Sequence, residues 1–236
     1  MKITLNLIAT NKYLTFLEII CPTINDFFFP GEEIIIIVHT NLDLPGNLKN
    51  YERISFVKNH IEHEPWPFTT LKRFEYFLIS RDCILQSDFS FYIDVDSVFI
   101  KKITNDILVN RGMIGTIHPC LSNGPGTPER NPNSRAFISY DSINRYFCGG
   151  FFGGTSREFI DAAEVISMWI KDDLSRNVMA IWHDESHLNK YFFLNPPMLV
   201  LDVPFAVAEN LTPQHENSRI KFLDKNKIGG HDYFRS

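Results

Sequence analysis

The stretch "EEIIIIVHT" (32–40) constrains the fold more than any other part of the chain. Successive side chains of a β-strand point to opposite faces, so a strand apolar at every position from Ile34 to Val38 needs cover on both faces. That is the pattern of a central strand with a layer packed on each side. "KITLNLIAT" (2–10) alternates and reads as a first strand, and residues 53–59, 112–119 and 197–205 carry further strand patterns. Between them, residues 12–28, with Pro22 inside or ending the element, read as helical. So do 67–84, a segment from about Ser156, and 183–193. Residues 67–84 place Leu71, Phe74, Phe77 and Leu78 at helical spacing, with Thr69 or Thr70 as a cap. Strands alternating with helices imply an α/β layered domain around a mainly parallel sheet. No linker composition interrupts residues 1–236, which read as one domain.

Composition excludes several classes. With 44% hydrophobic and 22% charged residues, the chain is globular rather than disordered. A formal net charge of −5 and the absence of long Lys or Arg runs argue against a nucleic-acid partner. Cys21, Cys83, Cys120 and Cys148 form no CxxC pair and read as free thiols of a reducing compartment. The N-terminus has no signal-peptide pattern, and no window of about 18 residues is apolar enough to span a membrane. A soluble, cytoplasmic protein is expected.

"FYIDVDSVFI" (91–100) sets Asp94 and Asp96 inside an otherwise apolar strand pattern. A bare carboxylate there costs several kcal/mol unless something pairs with it. Three readings compete. The pair can simply face solvent or backbone donors at a strand end. Carboxylates at i and i+2 lie on one strand face and can hold a hard divalent cation, with ligand phosphates completing the shell. A phosphohydrolase would use the first Asp as nucleophile and the second as acid, with Lys171–Asp173 as a later motif. Its nucleophile strand usually opens the domain, however, and here about ninety residues precede it.

Other segments are dense in chemistry. His183 and His187 have zinc-ligand spacing, but Asp184 stands where a zinc hydrolase would want Glu, and no third ligand is obvious. The same acidic residues suit the first turn of a helix, or a carboxylate that offsets positive charge in a transition state. "CGGFFGG" (148–154) reads as a tight turn with close strand packing, or as backbone approached by a bulky ligand. Arg73 falls between the apolar positions Leu71 and Phe74; buried there, it would need an acidic partner such as Asp94 or Asp96. Residues 121–135 form the most loop-like stretch.

In order, "IATNKYLTFL", "VHT", "WPFTTLKRF", "FYIDVDSVF", "IGTIHP", "YFCGGFFGG" and "WHDESHLNKYF" resemble the family 6 glycosyltransferases, which include the blood-group A and B transferases and the α-1,3-galactosyltransferases. The resemblance implies a GT-A fold, a nucleotide-binding α/β/α sandwich with a mixed, mainly parallel sheet. The nucleotide part would be about 1–100, and the acceptor and catalytic part about 101–236. It implies retaining transfer of N-acetylgalactosamine or galactose from a UDP-sugar to the 3-hydroxyl of a galactoside. Asp94 and Asp96 match the residues that bind Mn²⁺, with Mg²⁺ as the alternative, and Val95 lies beside the ribose. Ile8, Ala9, Thr10 and Tyr13 match the uridine site, and Arg73 a donor contact. Cys148, Gly149 and Gly150 lie where the donor sugar is selected. Asp184 matches a donor contact and Glu185 the catalytic glutamate, while His118 and Trp182 match the acceptor pocket. Lys225 and Arg235 match diphosphate contacts of the closing tail. Glycine at 150 leaves room beside the sugar, so UDP-N-acetylgalactosamine is the expected donor. The resemblance also implies a bare catalytic domain without stem or anchor, as in bacterial or viral members. A glycan-binding module without catalysis and the phosphohydrolase remain the alternatives.

Overall fold

A computed structural model of the chain describes residues 1–46, 48, 51–139, 145–211 and 216–235. Its strands are β1 (Lys2–Ile8), β2 (Glu33–Thr40), β3 (Ile54–His60), β4 (Phe89–Ile93), β5 (Ser97–Phe99), β6 (Met113–Ile117), β7 (Phe147–Thr155), β8 (Leu199–Leu201), β9 (Val207–Ala208) and β10 (Ile220–Phe222). Its α-helices are α1 (Leu17–Phe27), α2 (Phe68–Leu71), α3 (Arg73–Ile79), α4 (Arg81–Ile84), α5 (Ser156–Ser175), α6 (His183–Leu194) and α7 (His231–Arg235). Seven strands form one sheet in the order β3-β2-β1-β4-β7-β6-β8, and β5-β10-β9 form a second. In the large sheet only β7 runs against its neighbours.

The isoleucine run explains the layering. Ile34, Ile36 and Val38 of β2 enter one core with Leu17, Ile20 and Ile24 of α1, while Ile35 and Ile37 enter another with Phe74 and Phe77 of α3 and Phe159, Ile160 and Ile166 of α5. β7 divides the same way, Phe151 facing the first core and Phe152 the second. The result is the α/β/α sandwich with a mixed, mainly parallel sheet that the sequence predicts. No helix among the described residues is long and apolar enough to cross a membrane.

Several elements depart from the sequence reading. Residues 67–84 form three short helices rather than one, because Lys72 (φ −87°, ψ 7°) and Ser80 (φ −96°, ψ 15°) leave the helical region. Thr69 and Thr70 lie inside the first of them, without a capping role. The 12–28 segment opens with a 3₁₀ stretch (Asn11–Phe16), and Pro22 is inside α1. The predicted late strand is shortened to β8, followed by a 3₁₀ turn at Val203–Phe205. Residues 91–100 are not one strand: β4 ends at Ile93, and the chain turns at Asp94–Asp96 into β5 of the small sheet.

The four glycines of "GGFFGG" lie inside β7 rather than in a turn, and none has a positive φ. They serve close approach. A methyl on Gly153 would overlap the Phe91 ring, and one on Gly154 would stand 2.6 Å from the carbonyl oxygen of Gly112. A backbone oxygen cannot swing aside as a side chain can. Gly154→Ala is therefore expected to lower stability by about 1–3 kcal/mol through overpacking. In urea titration this appears as a lower midpoint with an unchanged slope.

Candidate active site

The turn that ends β4 delivers Asp94 to the C-terminal edge of the sheet, where open α/β sheets hold ligands. The break at Lys72 starts α3 with Arg73, whose guanidinium enters the same place at 4% exposure. Its Nε lies 2.8 Å from Asp184 Oδ2, its Nη2 3.8 Å from Asp94 Oδ1, and its Nη1 donates to Gly149 O at 2.6 Å. The guanidinium also stacks over the Tyr92 ring, 4.4 Å from the centroid. Burial alone would lower the Arg73 pKa, but Asp184, Tyr92, Asp94 and Glu185 around it raise it above the ordinary value. The acidic partner expected for Arg73 is thus present, with Asp184 closer than Asp94.

Asp94 accepts from Tyr92 Oη at 2.6 Å. Burial pushes its carboxyl pKa up; Arg73 opposes that shift and neighbouring Asp96 adds to it. Asp96 forms an ion pair with Lys225, which reaches it from the far end of the chain. Burial would lower the Lys225 pKa, and Asp96 more than offsets it. The aspartates of the turn are therefore compensated by two cationic side chains from distant segments.

Arg73, Asp94, Thr70 and Lys225 stand on the border of two adjoining hollows. The first, of about 190 Å³, is walled by Ile8, Thr10, Tyr13, Tyr92, Val95 and Asp96. Ala9 lies between Ile8 and Thr10 but is wholly buried, its N–H donating to His39 O. The second, a cleft of about 440 Å³, contains His118, Cys148, Gly149, Gly150, Trp182, Asp184 and Glu185. Arg235 is the last residue of α7, and its side chain lies outside the described residues. Sequence reading missed His63, Glu64, His231 and Phe234 in the first hollow, and Cys120 and Phe222 in the second. None belongs to a motif. The polar run "KNHIEHEP" around His63 was the only local signal, and His63 Nδ1 lies 3.0 Å from Thr10 Oγ1.

The start of α6 separates two exposures. His183 has φ +50°, a strained value for a residue with a side chain. Just before it, Trp182 is 46% exposed on the lip of the cleft, whereas Asp184 just after it is 3% exposed beside Arg73. Glu185 Oε2 accepts from Gly149 N at 2.7 Å. Burial raises the Asp184 carboxyl to about 6 and the Glu185 carboxyl to about 7. The cleft thus has Asp94 on one side and Glu185 on another, with Arg73 between them.

The zinc spacing does not make a site. His183 stacks edge-on with Trp66 in the cleft region, whereas His187 is buried with Nε2 3.5 Å from Asp173 Oδ2. Among the described residues no group of three His, Cys, Asp or Glu could hold a metal ion. The phosphohydrolase motif fares no better. Asp173 accepts from Ser134 Oγ at 2.5 Å and Arg135 N at 2.8 Å, and neither it nor Lys171 borders either hollow. These bonds tie the loop after His118 to α5, and Glu129, accepting from Ile181 N at 2.6 Å, ties it to the α5–α6 connection that carries Trp182. The expected room over Gly150 is also corrected. A methyl there would stand 2.7 Å from Phe222 Cζ and 3.0 Å from Asp94 Oδ2, because Phe222 of the small sheet fills that space.

The family model described as Glycosyltransferase family 6 matches residues 1–231. Among similar proteins, the O-antigen biosynthesis glycosyltransferase WbnI of Escherichia coli is 29% identical over 235 residues, covering 96% of each chain. The histo-blood group ABO system transferase 1 of Rattus norvegicus is 29% identical over 216 residues, covering 89% of this chain and 62% of that one. The globoside alpha-1,3-N-acetylgalactosaminyltransferase 1 of Homo sapiens is 27% identical over 235 residues, covering 95% and 67%.

The raised carboxyls have a measurable consequence for stability. A group whose folded pKa lies above its unfolded one favours the fold at low pH, and that contribution is lost as pH rises through the folded value. For Glu185 the window runs from its ordinary 4.5 to about 7. Glu185→Gln keeps an acceptor for Gly149 N but removes the charge. The variant should melt higher than wild type at pH 8, with the gap closing toward pH 4 in thermal scans. A gap independent of pH would contradict the buried, titrating carboxyl.

Proposed function

The chain belongs to glycosyltransferase family 6, and on that premise we propose that it moves N-acetylgalactosamine or galactose from a UDP donor to the 3-hydroxyl of a galactoside, with retention at the anomeric carbon. One observation carries the reading: Asp94 of the turn and Glu185 border one cleft, which the buried Arg73, paired with Asp94 and Asp184, also lines. The name of the human relative supports α-1,3 linkage and the N-acetylgalactosamine donor.

The first hollow suits the nucleoside, with Ile8, Thr10 and Tyr13 along one wall. At its border, Lys225 offers positive charge to a diphosphate. Asp94 and Asp96 fit a divalent cation such as Mn²⁺, since they are two carboxylate oxygen donors two residues apart on the wall of the hollow. Bound there, the ion would neutralise the charge of the leaving diphosphate. The sugar then lies in the cleft between the diphosphate and Glu185, where Asp184 and Gly149–Gly150 meet it. As the bond from the anomeric carbon to the diphosphate breaks, positive charge grows on the sugar ring, and the ionised Glu185 stabilises it. Trp182 on the lip offers an aromatic platform to the acceptor sugar, opposite His118. The four cysteines are unpaired, which suits a reducing cytoplasm.

The reading is tested by incubating the protein with UDP-N-acetylgalactosamine or UDP-galactose, Mn²⁺ and a panel of galactosides, scoring UDP release and product mass. Product heavier by one N-acetylhexosamine or one hexose, according to the donor supplied, is expected. A bound glycan without turnover would favour a binding module. EDTA should abolish transfer, and Asp94→Asn or Asp96→Asn should nearly do so; full activity in EDTA would remove the metal role. Glu185→Gln should lower kcat at least about 100-fold with little change in KM for the donor. The reverse pattern would make Glu185 a binding residue.

A further inference from the structure

Gly150 looks from the sequence like an opening in the cleft wall, but the folded chain closes it. Phe222 ends β10, whose register sets Phe222 opposite Ser97 of β5 and Ala208 of β9. The next residue, Leu223, donates its N–H to Asp96 O at 2.8 Å. The aromatic ring is thus tied by main-chain bonds to the same turn that carries the two aspartates. On the opposite side, Asp94 N donates to Gly150 O at 2.9 Å. Strand β7, the aspartate turn and β10 therefore meet at one corner, and the Phe222 ring lies over the glycine. An added methyl at 150 would be 2.7 Å from Cζ, 2.9 Å from Cε1 and 3.0 Å from Asp94 Oδ2. A methyl on Gly149 next door would meet Glu185 instead, 3.3 Å from Oε2.

We propose that Phe222 determines the size of the donor sugar that this cleft accepts, and that it does so jointly with Gly150. The inference rests on the functional reading above, in which the sugar occupies the space between Asp94 and Glu185. That space is bounded by Cys148, Gly149 and Gly150 from β7 and by Phe222 from β10. The residue at 150 cannot act alone, because whatever volume it vacates is taken by the ring. The ring, in contrast, is the far end of a half-buried side chain and can be shortened without disturbing the strand pairing. A donor with an acetamido group needs more volume than one with a hydroxyl, so trimming Phe222 favours the larger donor. Trimming also makes space for a methyl at 150.

The test compares kcat/KM for UDP-N-acetylgalactosamine and UDP-galactose in wild type, Phe222→Leu, Phe222→Ala, Gly150→Ala and the double variant Gly150→Ala/Phe222→Ala. Phe222→Leu and Phe222→Ala should raise the N-acetylgalactosamine-to-galactose ratio by about 10-fold or more, the scale on which a few methylenes discriminate in a pocket. Gly150→Ala should lose activity with both donors, and the double variant should recover much of it, a non-additivity expected of residues in contact. UDP affinity by calorimetry should stay near wild type in Phe222→Leu, showing an intact nucleotide site. A donor ratio unmoved by either Phe222 variant, together with independent effects of the two positions, would overturn the role of Phe222. A wild type that neither binds nor turns over either UDP-sugar would overturn the functional reading itself.

Discussion

A single buried guanidinium organises the site. Arg73 is held by Asp184 from α6, Asp94 from the end of β4, the Gly149 carbonyl of β7 and the Tyr92 ring. Burying an arginine or a carboxylate alone is costly, and each is tolerable here only because the others are present. The consequence is geometric. Four segments far apart in the chain are forced to meet within bonding distance, and the two hollows share that meeting point as a common border.

The same economy of charge appears at Asp96. Lys225 satisfies it, from a segment that also carries Phe222 three residues earlier. The closing part of the chain thus contributes a cation to the border of the two hollows and an aromatic ring to the larger cleft. Its backbone is joined to the aspartate turn through Leu223 and β5. The loop after His118 is fixed by a different polar cluster, in which Asp173 and Glu129 accept from its Ser134 side chain and from main-chain N–H groups. The aspartate turn and the loop after His118 are therefore held by separate networks.

The layered α/β/α architecture is legible in local patterning, because strand and helix periodicities are local and the fully apolar "IIIIV" run suits a strand covered on both faces. The sequence also brought out residues that border the two hollows: motifs such as "FYIDVDSVF" and "WHDESHLNKYF" concentrate charge where an apolar pattern would otherwise continue, while Ile8, Thr10, Tyr13, His118 and Lys225 followed only from the resemblance to the family. Which charge compensates which depends on long-range packing. Asp184 rather than Asp94 stands closest to Arg73, and Lys225 meets Asp96 across 129 positions of sequence. The space over Gly150 was likewise invisible: a glycine signals a missing side chain, but not whether solvent, a ligand or Phe222 takes its place. Ion pairs and van der Waals contacts act over a few ångströms, so they depend on strand register and on where the chain turns between sheets. Here the turn at Asp94–Asp96 and the pairing of β10 with β5 settle both, and neither leaves a trace in local spacing.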